Sequence, residues 1–400
     1  MPTSFLETFS DRSLQSRASA YALGLRLGLI LALGGCSSNS DHVPNDRADA
    51  GQPIGDAHVP DALDGRVALD STTPSTTQDG ATAYDAALGD AAGPLGLDAA
   101  SSGPVARMVA GVDVHNYPKP SAYGYVDADG GDRVGAALTY LSAPPVRGAS
   151  VGDTDFLMRL ASFGVKEVIL TLSATDYGKP FDPAQLTTAL AKSLAAAKTA
   201  GITIQVEGLN EWDLFNTRSY NDGCEPAGVS ASQFILFTQK ALYEAAHPLG
   251  LTVLGPSVGH PTEAQSLAFF PDVSAYVDVV NVHLYYGTKP ETLPLETVVS
   301  THRKIQGAGK PLWITETGVS AVGAVTLAIQ GDVIKRGLAF FSNSGLVDRA
   351  YHYDLLDDNQ AGLVGTTFIA DSDQIHFGLF TYAGAPKPAA DAVRAYIATP

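Results

Sequence analysis

Two apolar runs in this chain stop at polar patches, and each patch holds a glutamate. Ile202-Thr-Ile-Gln-Val-Glu-Gly-Leu ends in Asn210-Glu211-Trp212, and Pro311-Leu-Trp-Ile-Thr ends in Glu316. A pair of carboxylates can divide the splitting of a glycosidic bond, one protonated to serve the leaving oxygen and one ionised to attack the anomeric carbon. A separation of about 5 to 5.5 Å suits attack with retention. Mutual repulsion and a dry pocket favour one carboxyl staying protonated while its neighbour ionises. Other runs end in groups that could serve such a pair: Asp113 and His115, Arg147, His283 and Tyr285, Tyr353 and Asp354. An arginine and a tyrosine would hold the ionised carboxylate. Glu207 is expected to point away from Asn210 and to be structural.

Those positions share one mouth only if each run is a strand in a helix-strand series. Ahead of Ile202, Asp182 is placed to cap a helix, Pro183 suits its first turn, and Leu186, Leu190, Leu194 and Ala197 repeat at helical spacing. Gly201 ends that helix and turns the chain into the strand. The unit recurs. Asp153 opens a helix carrying Phe156, Leu157 and Leu160, Gly164 closes it, and Glu167–Leu172 follows. Ser232 opens another, running through Phe234, Phe237, Ala241 and Ala245 to Gly250, with Leu251–Leu254 after it. Asp278–Tyr285, Pro311–Glu316 and Arg349–Asp354 come next, and Val109–Asp113 and Pro145–Arg147 complete eight runs. Eight strands joined by helices predict an α/β fold, a (β/α)8 TIM barrel over residues 106–400, with its chemistry at the strands' C-terminal ends. The competing fold is an open doubly wound sheet, but no glycine-rich phosphate loop opens the first helix.

The first 105 residues read differently. An apolar stretch from Ala20 to Gly35 is flanked by Arg12 and Arg17 and interrupted by Arg26, and its core, Leu27 to Leu33, is too short to span a bilayer, so residues 1–35 read as an export signal. It closes in Leu33-Gly34-Gly35-Cys36, which resembles the bacterial lipobox, so Cys36 is the expected lipidation site. An ordinary signal peptide with a chance cysteine is the alternative. Residues 36–105 are Asp, Ala, Gly, Ser, Thr and Pro without apolar periodicity and cannot bury enough surface to offset backbone ordering, so an acidic disordered tether is expected. The net charge of -17 argues against nucleic acid and anionic surfaces as partners. Cys36 and Cys224 are the only cysteines, so a lipidated Cys36 leaves no disulfide and stability must come from a core. The expected location is the bacterial cell envelope, at the outer membrane or cell surface, with the lipid anchor as the only membrane contact.

The barrel region resembles glycoside hydrolase clan A, the retaining β-glycosidase barrels, over nearly all of residues 106–400. The resemblance rests on Gly208-Leu-Asn-Glu211, His283-Leu-Tyr285, Trp313-Ile-Thr-Glu316-Thr-Gly318, Phe377-Gly-Leu-Phe380 and Lys387-Pro388-Ala389. It implies hydrolysis of β-linked glycosides or polysaccharides by double displacement, with Glu211 as acid/base and Glu316 as nucleophile. It also implies that Asn210 binds the sugar 2-hydroxyl, Tyr285 holds Glu316, His283 lines the pocket and Arg147 keeps Glu316 ionised. Asp113, Trp212 and Tyr353 are further candidates for substrate contact, and Trp212, Phe215, Tyr286 and Trp313 could stack on sugars or simply pack. Strand eight departs from much of the clan, having Tyr351-His352-Tyr353 where a tryptophan platform is usual. No cofactor and no metal are expected, and the protein is expected to be a monomer acting on carbohydrate.

Two rival readings remain. Asp113-Val-His115 with His260, His283 and Asp354 suggests a metal-dependent amidohydrolase-like barrel, although strand one lacks the usual histidine pair. The other is a non-catalytic surface lipoprotein that binds glycan, which would have no need of both glutamates. Asp354, Asp357, Asp358 and Asn359 lack calcium-loop spacing and read as a solvated acidic loop.

Overall fold

The computed structural model describes residues 107–114, 132–214, 223–358 and 374–399. Eight strands alternate with eight helices among them: β1 (Val109–Asp113), α1 (Arg133–Tyr140), β2 (Val146–Ser150), α2 (Thr154–Ser162), β3 (Glu167–Leu172), α3 (Pro183–Ala200), β4 (Thr203–Leu209) and α4 (Ala231–Ala246) form the first half. The second half is β5 (Thr252–Leu254), α5 (Ala264–Leu267), β6 (Val280–His283), α6 (Leu295–Gln306), β7 (Leu312–Thr317), α7 (Leu327–Ser344), β8 (Arg349–His352) and α8 (Pro388–Ala398). The strands pair in parallel in the order β5-β4-β3-β2-β1-β8-β7-β6. Leu254 of β5 bridges Val279, just ahead of β6, and Gly255 N donates to Val279 O at 3.0 Å. That seam closes the ring into the expected (β/α)8 barrel. No helix among the described residues is long and apolar enough to cross a membrane.

The helices form where local chemistry asks for them. Asp182 accepts from Ala184 N at 2.9 Å, Pro183 opens α3, and Gly201 takes a left-handed φ of 67° that ends it. Its buried face is Leu186, Leu190, Ser193 and Ala197, with Leu194 only partly buried, because Ser193 Oγ turns inward to accept from Gly152 N at 2.7 Å. Helix α4 is capped two residues before Ser232, since Ser230 and Gln233 form a reciprocal capping box. That start buries Phe234, Ile235, Thr238, Gln239, Leu242 and Ala246 and leaves Phe237 exposed, a different face from the one the apolar spacing suggests.

The main core lies between the strand ring and the helices, and a second cluster of Ile169, Leu254, Val279, Trp313 and Tyr351 packs within the ring. Under that cluster, the Arg349 guanidinium covers the Trp313 ring at 4.2 Å and pairs with Glu167, which also accepts from Gln205 at 2.7 Å.

Candidate active site

Strand irregularities aim the site residues. Side chains of a regular strand alternate between faces, and one extra residue breaks the alternation and bends the strand. Such shifts occur between Arg147 and Ala149 on β2, at Gly208 on β4, and around Thr315 and Glu316 on β7. A Cβ on Gly208 would lie 2.2 Å from Gln239 Oε1 and 2.9 Å from Pro256 N, so only glycine fits that bulge. Its effect is that Glu207 and Asn210 point the same way and meet on Arg147, contrary to the expectation that Glu207 turns away. On β7, the consecutive Thr315 and Glu316 both face inward: Thr315 Oγ1 donates to Glu207 Oε1 at 3.2 Å while Glu316 accepts from Arg147.

Arg147 is the hub. Its Nε donates to Glu207 Oε2 at 2.6 Å, its Nη2 to Glu207 Oε1 at 3.1 Å and Asn210 Oδ1 at 2.7 Å, and its Nη1 to Glu316 Oε1 at 2.5 Å and to Asp113 Oδ2. Burial opposes its charge, but Glu207, Asp113 and Glu316 outweigh that and raise its pKa well above the ordinary value. Glu207 is pushed up by burial and pulled further down by Arg147 and His283, to about 2. It also accepts from Asn281 Nδ2 at 2.8 Å, so it is an ionised counter-ion locked in place.

His283 stands between the two expected catalytic carboxylates. Its Nδ1 is 2.8 Å from Glu211 Oε1 and 3.3 Å from Glu316 Oε2, and its Nε2 is 3.3 Å from Arg147 Nη2 and 3.6 Å from Glu207 Oε1. Burial favours the neutral ring, but Glu316, Glu207 and Glu211 together raise its pKa to about 10. Tyr285 donates to Glu316 Oε2 at 2.5 Å, so Glu316 is gripped by the arginine and the tyrosine anticipated for it. The protonation balance runs opposite to the expected one. Burial raises the Glu211 carboxyl, but the hydrogen bond and charge of His283 bring it below its ordinary value, whereas at Glu316 burial wins over His283 and Arg147 and raises it. The physical reason is that the imidazolium bonds Glu211 directly and takes over the proton.

Several candidates take other roles. Asp113 is fully buried behind Arg147, with burial raising its pKa, so it braces the arginine and offers no face to substrate. Trp212 is 1% exposed, donates to Glu225 Oε1 at 3.1 Å and packs on Phe234, which makes it a core anchor and not a sugar platform. Tyr286 and Trp313 are likewise packed, against Phe341 and under Arg349. Tyr353 does reach the site: its ring lies 6.0 Å from Tyr285 and 5.6 Å from Phe377, and the last two are 5.4 Å apart, an aromatic wall beside Glu316. Phe377 was legible only as part of the Phe377–Phe380 motif. The acidic loop is not solvated, because Asp354 and Asp357 are buried and Asp357 Oδ1 accepts from Lys387 Nζ at 2.5 Å. His115, Phe215, Asn359 and Cys36 lie outside the described residues.

Ser257 had no signal in the sequence. It is fully buried, accepts from Glu211 N at 3.2 Å and donates to Asn210 Oδ1 at 3.4 Å. The bond matters because Glu211 has a left-handed φ of 47°, a conformation a side-chain-bearing residue adopts only under constraint. Among the described residues, the group of three or more potential metal-ligand side chains that comes together is Glu211, His283 and Glu316, within 4.8 Å. Asp113, His260 and Asp354, the other described members of the amidohydrolase-like donor set, do not join it.

Comparison with known proteins bears on the second half of the chain first. Residues 234–375 match the family model described as glycosyl hydrolase catalytic core, a span that includes His283, Tyr285 and Glu316. A family 39 glycoside hydrolase from Bacteroides cellulosilyticus WH2 is similar in structure with a TM-score of 0.50 and 16% identity, over 73% of this chain and 64% of that one. A GH5_18 structure from Bifidobacterium longum subsp. infantis gives a TM-score of 0.52 and 13% identity, over 73% of this chain and 78% of the other. The chain thus spans under two thirds of the family 39 structure, and identities this low speak for the fold alone. A search of curated protein sequences returns no match. Residues 234–375, the part of the barrel that holds His283, Tyr285 and Glu316, are thus similar to a glycosyl hydrolase catalytic core, in line with the resemblance to clan A.

Proposed function

We propose that the chain is a retaining glycoside hydrolase for β-linked glycosides or polysaccharides, with Glu316 as nucleophile and Glu211 as acid/base. The observation that carries this reading is the closeness of the two carboxylates. Their oxygens facing His283 lie within 4.8 Å of each other, near the ~5 to 5.5 Å of double displacement and short of the ~6.5 Å at which a water fits for single displacement. Of the two carboxylates, Glu316 is the one gripped by Arg147 and Tyr285, which suits a group that must be held for in-line attack on the anomeric carbon. Glu211 sits on the strained β4 end with a partly exposed side chain, suited to reach the glycosidic oxygen.

The first step joins Glu316 to the anomeric carbon and breaks the bond to the leaving oxygen, which takes a proton from Glu211. That proton is available 2.8 Å away on His283 Nδ1, so transfer along this bond charges the acid. As Glu316 loses its charge in the ester, the pull that holds the imidazolium weakens, which favours the transfer. In the second step Glu211 accepts a proton from water as the water attacks the anomeric carbon and the Glu316 ester bond breaks. Asn210, turned into the site by Arg147 and Ser257, would bind the sugar 2-hydroxyl, and Tyr353 with Phe377 would wall the sugar.

The same reading makes the enzyme an exported monomer, with residues 1–35 removed, Cys36 lipidated and residues 36–105 tethering the barrel at 106–400 to the envelope. Turnover by the Glu211→Ala variant tests the chemistry. On an aryl glycoside with a good leaving group, the first step should persist and the second stall, and azide should restore turnover as a β-glycosyl azide. An α-azide would instead mean single displacement, and rescue of Glu316→Ala would mean the two roles are exchanged.

A further inference from the structure

Glu211, His283 and Glu316 present three ligating atoms from the ends of β4, β6 and β7. The two contacts of His283 Nδ1, 2.8 Å to Glu211 Oε1 and 3.3 Å to Glu316 Oε2, are close to the ligand-ligand edge of roughly 3.3 Å around a four-coordinate zinc ion. The third edge, at most 4.8 Å, closes by rotation of Glu211, whose side chain is 17% exposed against 8% for Glu316. A carboxylate also stands on the far side of the ring. Nε2 faces Glu207 Oε1 at 3.6 Å, and Glu207 is itself fixed by Arg147, Asn281 and Thr315. At that range, with Arg147 Nη2 nearer at 3.3 Å, the carboxylate acts on the ring through its negative charge, which favours a cation beside it.

Charge points the same way. Four carboxylates, Asp113, Glu207, Glu211 and Glu316, surround one permanent cation, Arg147, and the remaining positive charge is the proton of His283. We propose that Glu211, His283 and Glu316 bind one zinc-like divalent transition-metal ion, which takes the place of that proton and blocks the catalytic centre. The inhibition rests on the glycosidase reading, and the binding does not. Binding forms bonds from the metal to Nδ1 and to two carboxylate oxygens and releases the Nδ1 proton to solvent. The groups facing the ring are Glu207 and Glu211 from β4, Glu316 from β7, Arg147 from β2, Asp113 from β1 and Tyr285 from its own strand end. An imidazole in the donor set favours zinc over magnesium.

Calorimetric titration of the untagged full chain with zinc chloride should show one ion per chain, and no comparable heat with magnesium chloride. Glu316→Gln and Glu211→Gln, shown to be folded by their melting curves, should each weaken zinc at least tenfold, while His247→Ala should not. In the wild-type protein, the ring-nitrogen resonance of His283 should shift on zinc addition, a measurement that needs no variant. Zinc affinity unchanged in both glutamine variants, or an unmoved His283 resonance, would overturn the site. Where turnover is present, zinc should inhibit competitively and a chelator should reverse it. A chain that binds zinc with these properties but turns over no glycoside keeps the site and loses the glycosidase reading, whereas turnover without zinc binding does the opposite.

Discussion

The two ends of the barrel interior are built on opposite electrostatic plans. At the N-terminal end, Arg349 has one carboxylate, Glu167, and one aromatic face, Trp313, below the rest of the apolar cluster, Ile169, Leu254, Val279 and Tyr351. At the C-terminal end, Arg147 has three carboxylates, and a fourth is reached through His283. The lower end is neutral and partly hydrated, its pair 22% and 23% exposed, so its ions contribute little and its packing carries the stability. The upper end is dry and overcharged, and its order comes from hydrogen bonds that use every donor of Arg147. Fixed charges in a water-excluded pocket are what acid-base chemistry needs.

The largest expected effect breaks the upper end alone. Glu316→Ala should lower turnover on every substrate by on the order of 10⁴-fold or more. Its melting temperature should stay close to that of the wild type, since Arg147 keeps Glu207 and Asp113. A mechanism-based fluorosugar should label the wild-type residue covalently. Retention of more than a few per cent activity would take the nucleophile role from Glu316.

The converse break is at the lower end. Trp313→Ala should destabilise the barrel by about 3 to 5 kcal/mol, because it leaves a cavity under Arg349, yet kcat/KM of the folded fraction should hold. Denaturant midpoints and kinetics on the same sample would check this, and a parallel loss of both would show that the two ends are coupled.

How much of this division could be read beforehand depends on which property is local. The bounds of β1 and β3 and the caps of α2 and α3 agree with the residues expected, because apolar runs, Asp153, Asp182 and Gly201 act on their immediate neighbours. β6 and β8 stop short of Tyr285 and Asp354, since their last residues leave the ladder to form loops. The pair of glutamates, Arg147 and Tyr285 were legible as strand-end groups. The bulges at Gly208 and Thr315 that converge Glu207, Asn210 and Glu316 were not, because register depends on the neighbouring strand. Trp212 was misplaced for the same kind of reason: whether an aromatic at a strand end faces sugar or core is set by Phe234 and Glu225, which come from elsewhere in the chain.

A subtler contrast between the ends appears with pH. The His283 pKa lies near 6.5 in an unfolded chain and about 10 in the fold, so its ion pairs stabilise the fold fully below pH 6.5 and are lost as pH rises through 10. Glu207, at about 2, acts in the opposite sense, its contribution being present above its ordinary value and lost as pH falls through 2. The stability advantage of the wild type over His283→Gln should therefore shrink between pH 6.5 and 10 in urea titrations. The Trp313→Ala deficit should be flat over that window, and a sloping one would put a titrating group at the lower end.

The smallest effect isolates how the upper end holds its acid. Ser257 Oγ is the acceptor for Glu211 N–H, and Ser257 N donates to Leu209 O at 3.0 Å, so one residue of the β5 end fixes both sides of the left-handed turn. A neutral hydrogen bond of this kind is worth about 1 kcal/mol, or roughly fivefold in rate if it is needed only for catalysis. Ser257→Ala should lower kcat by about that factor on glycosides with poor leaving groups, where protonation by Glu211 matters. The first step on an activated aryl glycoside, followed as a burst, should be nearly unchanged, and Ser257→Thr should recover the loss because it keeps the hydroxyl. An equal fall on both substrates would mean that Ser257 supports the whole pocket through its bond to Asn210. No fall on either would mean that the Glu211 backbone is held by the strand and bulge alone.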